Sequence, residues 1–209
     1  MISTEDIRQT LLLIPPLLFA LTIHELSHGW VAWKLGDPTA KNQGRLTLNP
    51  LAHLDLMGTL CILITRFIGW AKPVPVDPRN FRDPMKGMAI VAAAGPCSNF
   101  IMALASAVIL KLGIKTEAFA LLPASLFEPL IIMLFISFTL NLGLGLFNLL
   151  PFPPLDGFRV ASLLLPVRWV WFCERYSIVF FIGLMLLMWT GVVMAPIREI
   201  IKYLQGLVI

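Results

Sequence analysis

LLLIPPLLFALTIHELSHGWVAWKLG, residues 11–36, is an apolar run long enough to cross a bilayer, and it carries two histidines and a glutamate toward its end. A spanning helix needs about 20 mostly apolar residues. An ionisable side chain inside such a helix costs about 2.5–3.5 kcal/mol even on the lenient insertion scale, so it usually has a task. His24 and His28 are four apart, which on a helix puts both rings on one face within reach of a single ion. Glu25 points about 100° away from His24, beside that ion rather than onto it. This is the arrangement of a zinc hydrolase: two neutral imidazoles hold the metal, an open position takes water, and the carboxylate is the general base.

Working outward, three further apolar runs lie near 87–110, 127–150 and 176–196. Of the 209 residues, 58% are hydrophobic and 13% charged, against roughly 25% charged in ordinary soluble domains. The sequence therefore predicts an all-α polytopic membrane protein with about four to six membrane segments. A single membrane-embedded domain over 1–209 is expected, with its catalytic core at about 9–165. The net charge of +4 comes from Lys and Arg in the short segments between apolar runs, where topology places them, so it does not predict a nucleic-acid partner. The opening MISTEDIRQT carries Glu5 and Asp6 rather than a basic stretch, so the first helix is expected to be retained. Cys61, Cys97 and Cys173 are odd in number, scattered and set among apolar neighbours, which suggests neither a disulfide framework nor a CxxC metal clip.

A catalytic zinc takes three protein ligands and water. The candidates for the third are His53 in RLTLNPLAHLD, Asp77 and Asp83 in a polar loop, and Asp156 in FNLLPFPPLDG. Basic residues crowd between the first helix and 87–110, and again after Asp156. If these segments face the cytoplasm, so does the site, provided that MGTLCILITRFIGW (57–70) dips into the membrane and returns. A re-entrant or short strand-containing segment is therefore expected near 57–80. Topology favours Asp156: Pro151, Pro153 and Pro154 stop the helix before it, and irregular backbone at membrane depth needs a buried or wet setting. The competing reading makes Asp156 a solvated residue in a helix-stop loop. Lys72-Pro73-Val74-Pro75-Val76 reads as extended backbone, and Val74 and its neighbours are expected to steer substrate by strand addition.

HELSH in the first helix, GPCSN at 95–99 and NLLPFPPLDG at 148–157 together resemble the site-2 protease family of intramembrane metalloproteases, in its short bacterial branch without a PDZ domain. The similarity runs over roughly 20–165 and includes RLTLNPLAHLD and GWAKPVPVDP. The resemblance implies one Zn2+ per chain held by His24, His28 and Asp156, with Glu25 as general base and proton carrier. It also implies that Asn148 binds the substrate backbone or the developing oxyanion. His53 reads as a partner of a ligand or of substrate, or as a structural histidine, and Asn99 as a packing and hydrogen-bonding residue. The implied substrate is a membrane protein with a transmembrane segment, cut in the bilayer of a bacterial inner membrane with the site toward the cytoplasm. Two other classes compete. A divalent-metal transporter would use the same intramembrane His and Asp but lacks an inverted repeat here, and a catalytically inactive scaffold sits poorly with a complete set of expected ligands.

Overall fold

The computed structural model describes residues 4–58, 71–117, 119 and 122–208. In chain order the helices are α1 (Thr4–Lys34), the one-turn α2 (Thr39–Asn42), α3 (Pro84–Lys115), α4 (Ala124–Asn148), α5 (Asp156–Ala161), α6 (Val167–Arg175), α7 (Ser177–Trp189) and α8 (Met194–Val208). Helices α1, α3 and α4 are each long and apolar enough to cross a membrane, and α6 with α7 forms a pair bent by 74° that counts as a fourth crossing if taken as one span. The chain is thus an all-α polytopic membrane protein. The expected dip over 57–70 falls largely on residues 59–70, outside those described. Among the described residues β pairing amounts to one isolated antiparallel bridge, Leu54 to Ala71.

The last apolar run is broken where hydropathy had read it as continuous. Gly191, at φ 78°, turns the chain between α7 and α8, and α7 has only 13 residues, about 20 Å at 1.5 Å per residue against a hydrocarbon core of about 30 Å. The tail after 195 is a docked helix. Ile197 of α8 is buried, Ile201 and Leu204 pack on Phe138 and Leu142, and the Gln205 side chain donates to Thr139 Oγ1 at 2.9 Å.

Helix ends follow local chemistry. Asp83 accepts from Lys86 N at 3.1 Å ahead of Pro84, which opens α3, pairing an N-cap carboxylate with proline at the first helical position. Helix α1 stops at Gly36, φ 107°, where Gly36 N–H donates to Trp33 O and Asp37 N–H to Ala32 O, the paired bonds of a left-handed glycine cap. Lys34 and Lys41 lie 4.8 and 4.4 Å from the Trp33 ring, an aromatic–cationic cluster of the kind that anchors a span at the headgroups.

Helix α3 is the centre of the bundle and packs against α1, α4, α5 and α8. Its buried positions are mostly small, including Gly87, Ala89, Ala92, Gly95, Ser98 and Ala103, which lets helices approach closely in lipid. Two apolar clusters flank the middle of α3, one around Ala32, Phe81 and Val91 and the other around Ala103, Phe138 and Leu142. Residues 95–99 fall between them.

Beyond α1 the chain is moored back onto it. Asp37 is fully buried and accepts from Thr39 N and Oγ1, Asp77 N and Asn80 Nδ2 at 2.5–3.1 Å. Burial pushes its carboxyl pKa up, but these donors outweigh burial and hold it below the usual carboxylate range. Upstream, Lys72 N–H donates to His53 O at 2.8 Å, and Arg45 Nη2 donates to Lys72 O at 2.8 Å.

Candidate metal centre

His24 and His28 lie on one face of α1, with ring centroids 4.6 Å apart and planes at 85°. Their Nε2 atoms are 3.0 Å apart, and Asp156 Oδ2 stands 3.2 Å from the first and 3.3 Å from the second. Among the described residues this is the one group of three or more His, Cys, Asp or Glu that could hold a metal. Asp156 reaches α1 because the chain turns back after α4: Pro151, Pro153 and Pro154 cannot continue the helix, and Gly157 lets α5 close onto it. A Cβ on Gly157 would collide with the Leu149 carbonyl.

The protons on the two rings can be placed from their outer partners. His28 Nδ1 is 2.7 Å from the Val91 carbonyl, which can only accept, so Nδ1 carries the hydrogen and Nε2 keeps a lone pair. His24 Nδ1 is 2.6 Å from Asn99 Oδ1, with the same consequence. Two imidazole lone pairs and a carboxylate oxygen therefore converge with no hydrogen among them, and Asp156 Oδ2 is buried without a hydrogen-bond partner. Such a donor set suits a cation. Ligands about 2.0–2.1 Å from a tetrahedral zinc stand about 3.3 Å from one another, and the observed separations of 3.0–3.3 Å match that edge.

Gly95 makes room for this arrangement. A Cβ there would lie 2.6 Å from His24 Nε2 and closer still to His28 Nε2, so α3 can approach the two rings only at a glycine. Glu25, next to His24, accepts from Val74 N–H at 3.0 Å through Oε2. Pro73 and Pro75 have no N–H, so Val74 supplies the one donor of that tripeptide, and it goes to Glu25.

The remaining predicted residues lie at varied distances from the centre. Asn99 is fully buried and holds His24. Asn148 ends α4 with Nδ2 donating to Leu144 O, one turn back, at 3.0 Å. His53 is buried, outside the metal-capable group, with Nε2 2.9 Å from the Thr47 carbonyl. Asp77 pairs with Arg79, and Asp83 caps α3.

One residue escaped the sequence reading. Asn141 of α4 is fully buried and accepts from Asn99 Nδ2 at 2.8 Å. Its signal was an asparagine in mid-span, seven residues before Asn148 and therefore on the same helical face.

The family model of peptidase family M50 matches residues 12–190. Over 155 residues the chain is 46% identical to YwhC of Bacillus subtilis, by name a proposed zinc metalloprotease, a match covering 74% of this chain and 69% of that one. It is 31% identical over 151 residues to Rip2 of Mycolicibacterium smegmatis and 29% identical over 153 residues to Rip2 of Mycobacterium tuberculosis, both again proposed zinc metalloproteases by name. These matches cover 71% and 69% of this chain but 55% and 54% of the relatives, so the chain spans about half the length of the Rip2 proteins. No solved structure matches it. A family match over most of the chain, on a helical membrane scaffold that brings two histidines and an aspartate to one point, places this protein: it belongs to peptidase family M50.

Proposed function

We propose that this chain hydrolyses peptide bonds in or near the transmembrane segments of other membrane proteins. As a member of peptidase family M50 with two imidazoles and a carboxylate converged as a metal donor set, it is a zinc metalloprotease. The observation that carries the intramembrane reading is the position of that donor set, partway along a span-length apolar helix. In this reading α1 to α5 supply the catalytic core, and His24, His28 and Asp156 hold the ion. Zinc held there would act as a Lewis acid toward the attacking water and the scissile carbonyl. Glu25 takes the water's proton and delivers it to the leaving amine. Asn148 donates to the oxyanion that develops on the substrate carbonyl; one hydrogen of its amide is spent on Leu144 O, and the other serves the substrate.

The basic residues Lys34, Lys41, Arg45, Arg79, Arg82 and Lys86 lie in or beside the segment between α1 and α3, which supports the reading of that end of the bundle as cytoplasmic. The test is a proteoliposome assay with a single-span substrate carrying a tag at each end. Cleavage at a bond within the span is expected, releasing the cytoplasmic tag, stopping with a zinc chelator and returning with zinc. Cleavage only in extramembrane loops, or zinc flux without cleavage, would sink the proposal.

The 72–76 segment lies against Glu25, and we assign it to holding substrate backbone in extended form. Because the Val74 N–H is committed to Glu25 and the Lys72 carbonyl to Arg45, pairing with substrate uses the carbonyls of residues 73–76. Replacing Pro73 and Pro75 together with alanine is expected to lower kcat/KM about two- to fivefold, the equivalent of about 0.4–1 kcal/mol of lost backbone restriction, with zinc content unchanged. An unaltered kcat/KM in the double variant would remove this role.

A further inference from the structure

Asn141 lies in the middle of α4, a helix otherwise rich in Leu, Ile and Phe, and it is fully buried. A side chain of this kind in a membrane helix faces the bundle interior and finds partners there. Its partners form a chain with one direction. Asn141 Nδ2 lies 2.9 Å from the Ser137 carbonyl, which can only accept, so the amino end of Asn141 must face it. The oxygen end then faces Asn99, whose Nδ2 donates to it at 2.8 Å. Asn99 must therefore present its oxygen to His24 Nδ1, 2.6 Å away, and the ring proton belongs on that nitrogen. His24 Nε2 is left with its lone pair, pointed at His28 and Asp156. Reversing either carboxamide would set donor against donor or oxygen against oxygen in a buried place.

We propose that Asn141 is a positioning residue for the metal centre: through Asn99 it fixes which ring nitrogen of His24 is protonated and how the ring is held, from a helix that supplies no metal donor itself. The inference rests on reading His24 as a metal donor. It also goes beyond tying helices together. The seam between α3 and α4 is also tied by Ser106 Oγ to Ser137 Oγ at 2.9 Å, and Asn141 Nδ2 reaches the same Ser137 Oγ at 3.3 Å, but only Asn141 hands its orientation on through Asn99 to His24. Partners of this kind are typically worth about 10- to 100-fold in metal affinity.

The experiment measures zinc affinity by chelator competition in detergent for wild type, Asn141→Leu, Asn99→Ala and the double variant, with thermal unfolding recorded alongside. Asn141→Leu is expected to weaken zinc about 10- to 100-fold, Asn99→Ala by a similar factor, and the double variant by no more than the stronger single. Unchanged zinc affinity in Asn141→Leu with a lowered unfolding temperature would reduce Asn141 to a helix tie and overturn the proposal, as would strictly multiplicative losses in the double variant. Wild type that binds no zinc would instead overturn the metal reading. Should Asn141→Leu fail to fold, histidine-selective 15N spectra of the metal-free wild type carry the test, since the chain has three histidines to resolve. The Nδ1–H form is expected for His24, and the Nε2–H form or a mixture would overturn the inference.

Discussion

Glu25→Gln is expected to retain zinc at the wild-type level while its cleavage rate falls at least about a hundredfold, the lower end of what a positioned acid–base group contributes. Glutamine keeps the size and shape of the side chain, and its oxygen can still accept the Val74 N–H that Glu25 accepts at 3.0 Å, so the 72–76 segment stays in place. What disappears is a group able to take a proton from water and pass it to an amine. None of the three converging atoms belongs to Glu25, so the metal should be indifferent to the change. The check is zinc per polypeptide and product formation on one preparation. A variant cleaving at more than about a tenth of the wild-type rate would remove Glu25 from the mechanism.

Two substitutions on other elements are expected to empty the metal centre for different reasons. Asp156→Ala removes one of three donors, and zinc should fall from about one per chain to a small fraction of that. Gly95→Ala removes no donor at all. It adds a methyl whose carbon would stand 2.6 Å from His24 Nε2, so the rings must move off the shared point, while alanine is a better helix former than glycine by about 1 kcal/mol. The same clash overpacks the contact between α3 and α1, at a typical cost of about 1–3 kcal/mol. The unfolding temperature measured without metal should therefore change little or fall in Gly95→Ala, with a loss of zinc larger than that change in stability accounts for. Full zinc occupancy in Asp156→Ala would refute the third ligand. Full occupancy in Gly95→Ala would mean that α3 can back away from α1 at little cost.

Much of this architecture was legible in the sequence because lipid makes polar residues conspicuous. HELSH in an apolar run, and an aspartate delivered after three helix-stopping prolines, led to the three residues that the fold brings within 3.3 Å. Asn141 stands out by the same logic, yet it sits in a run whose hydropathy reads simply as a span, and its link to His24 passes through a residue on a third helix. The break at Gly191 was hidden because hydropathy sums across a turn, residues 190–193, that carries no charge. The bond from Val74 to Glu25 joins positions 49 apart, and no local pattern encodes it.

The stretch from Lys72 to Asn80 is fastened at Lys72 to His53 and Arg45, at Val74 to Glu25, and at Asp77 and Asn80 to Asp37. A lid needs a free length on which to swing, and nine residues held at four places have none. This stretch therefore behaves as a fixed rim, its far end, Pro78–Asn80, wound as a turn of 3-10 helix and the residues before it held in place before anything docks. Ordering a mobile loop costs about 1–2 kcal/mol per residue in backbone entropy, and a rim built into the fold spares substrate that cost. On the proposed reading of 72–76 as the segment that holds substrate, a peptide arriving from a helix would have only its own unwinding to meet, leaving more of its binding energy for the bond being cut.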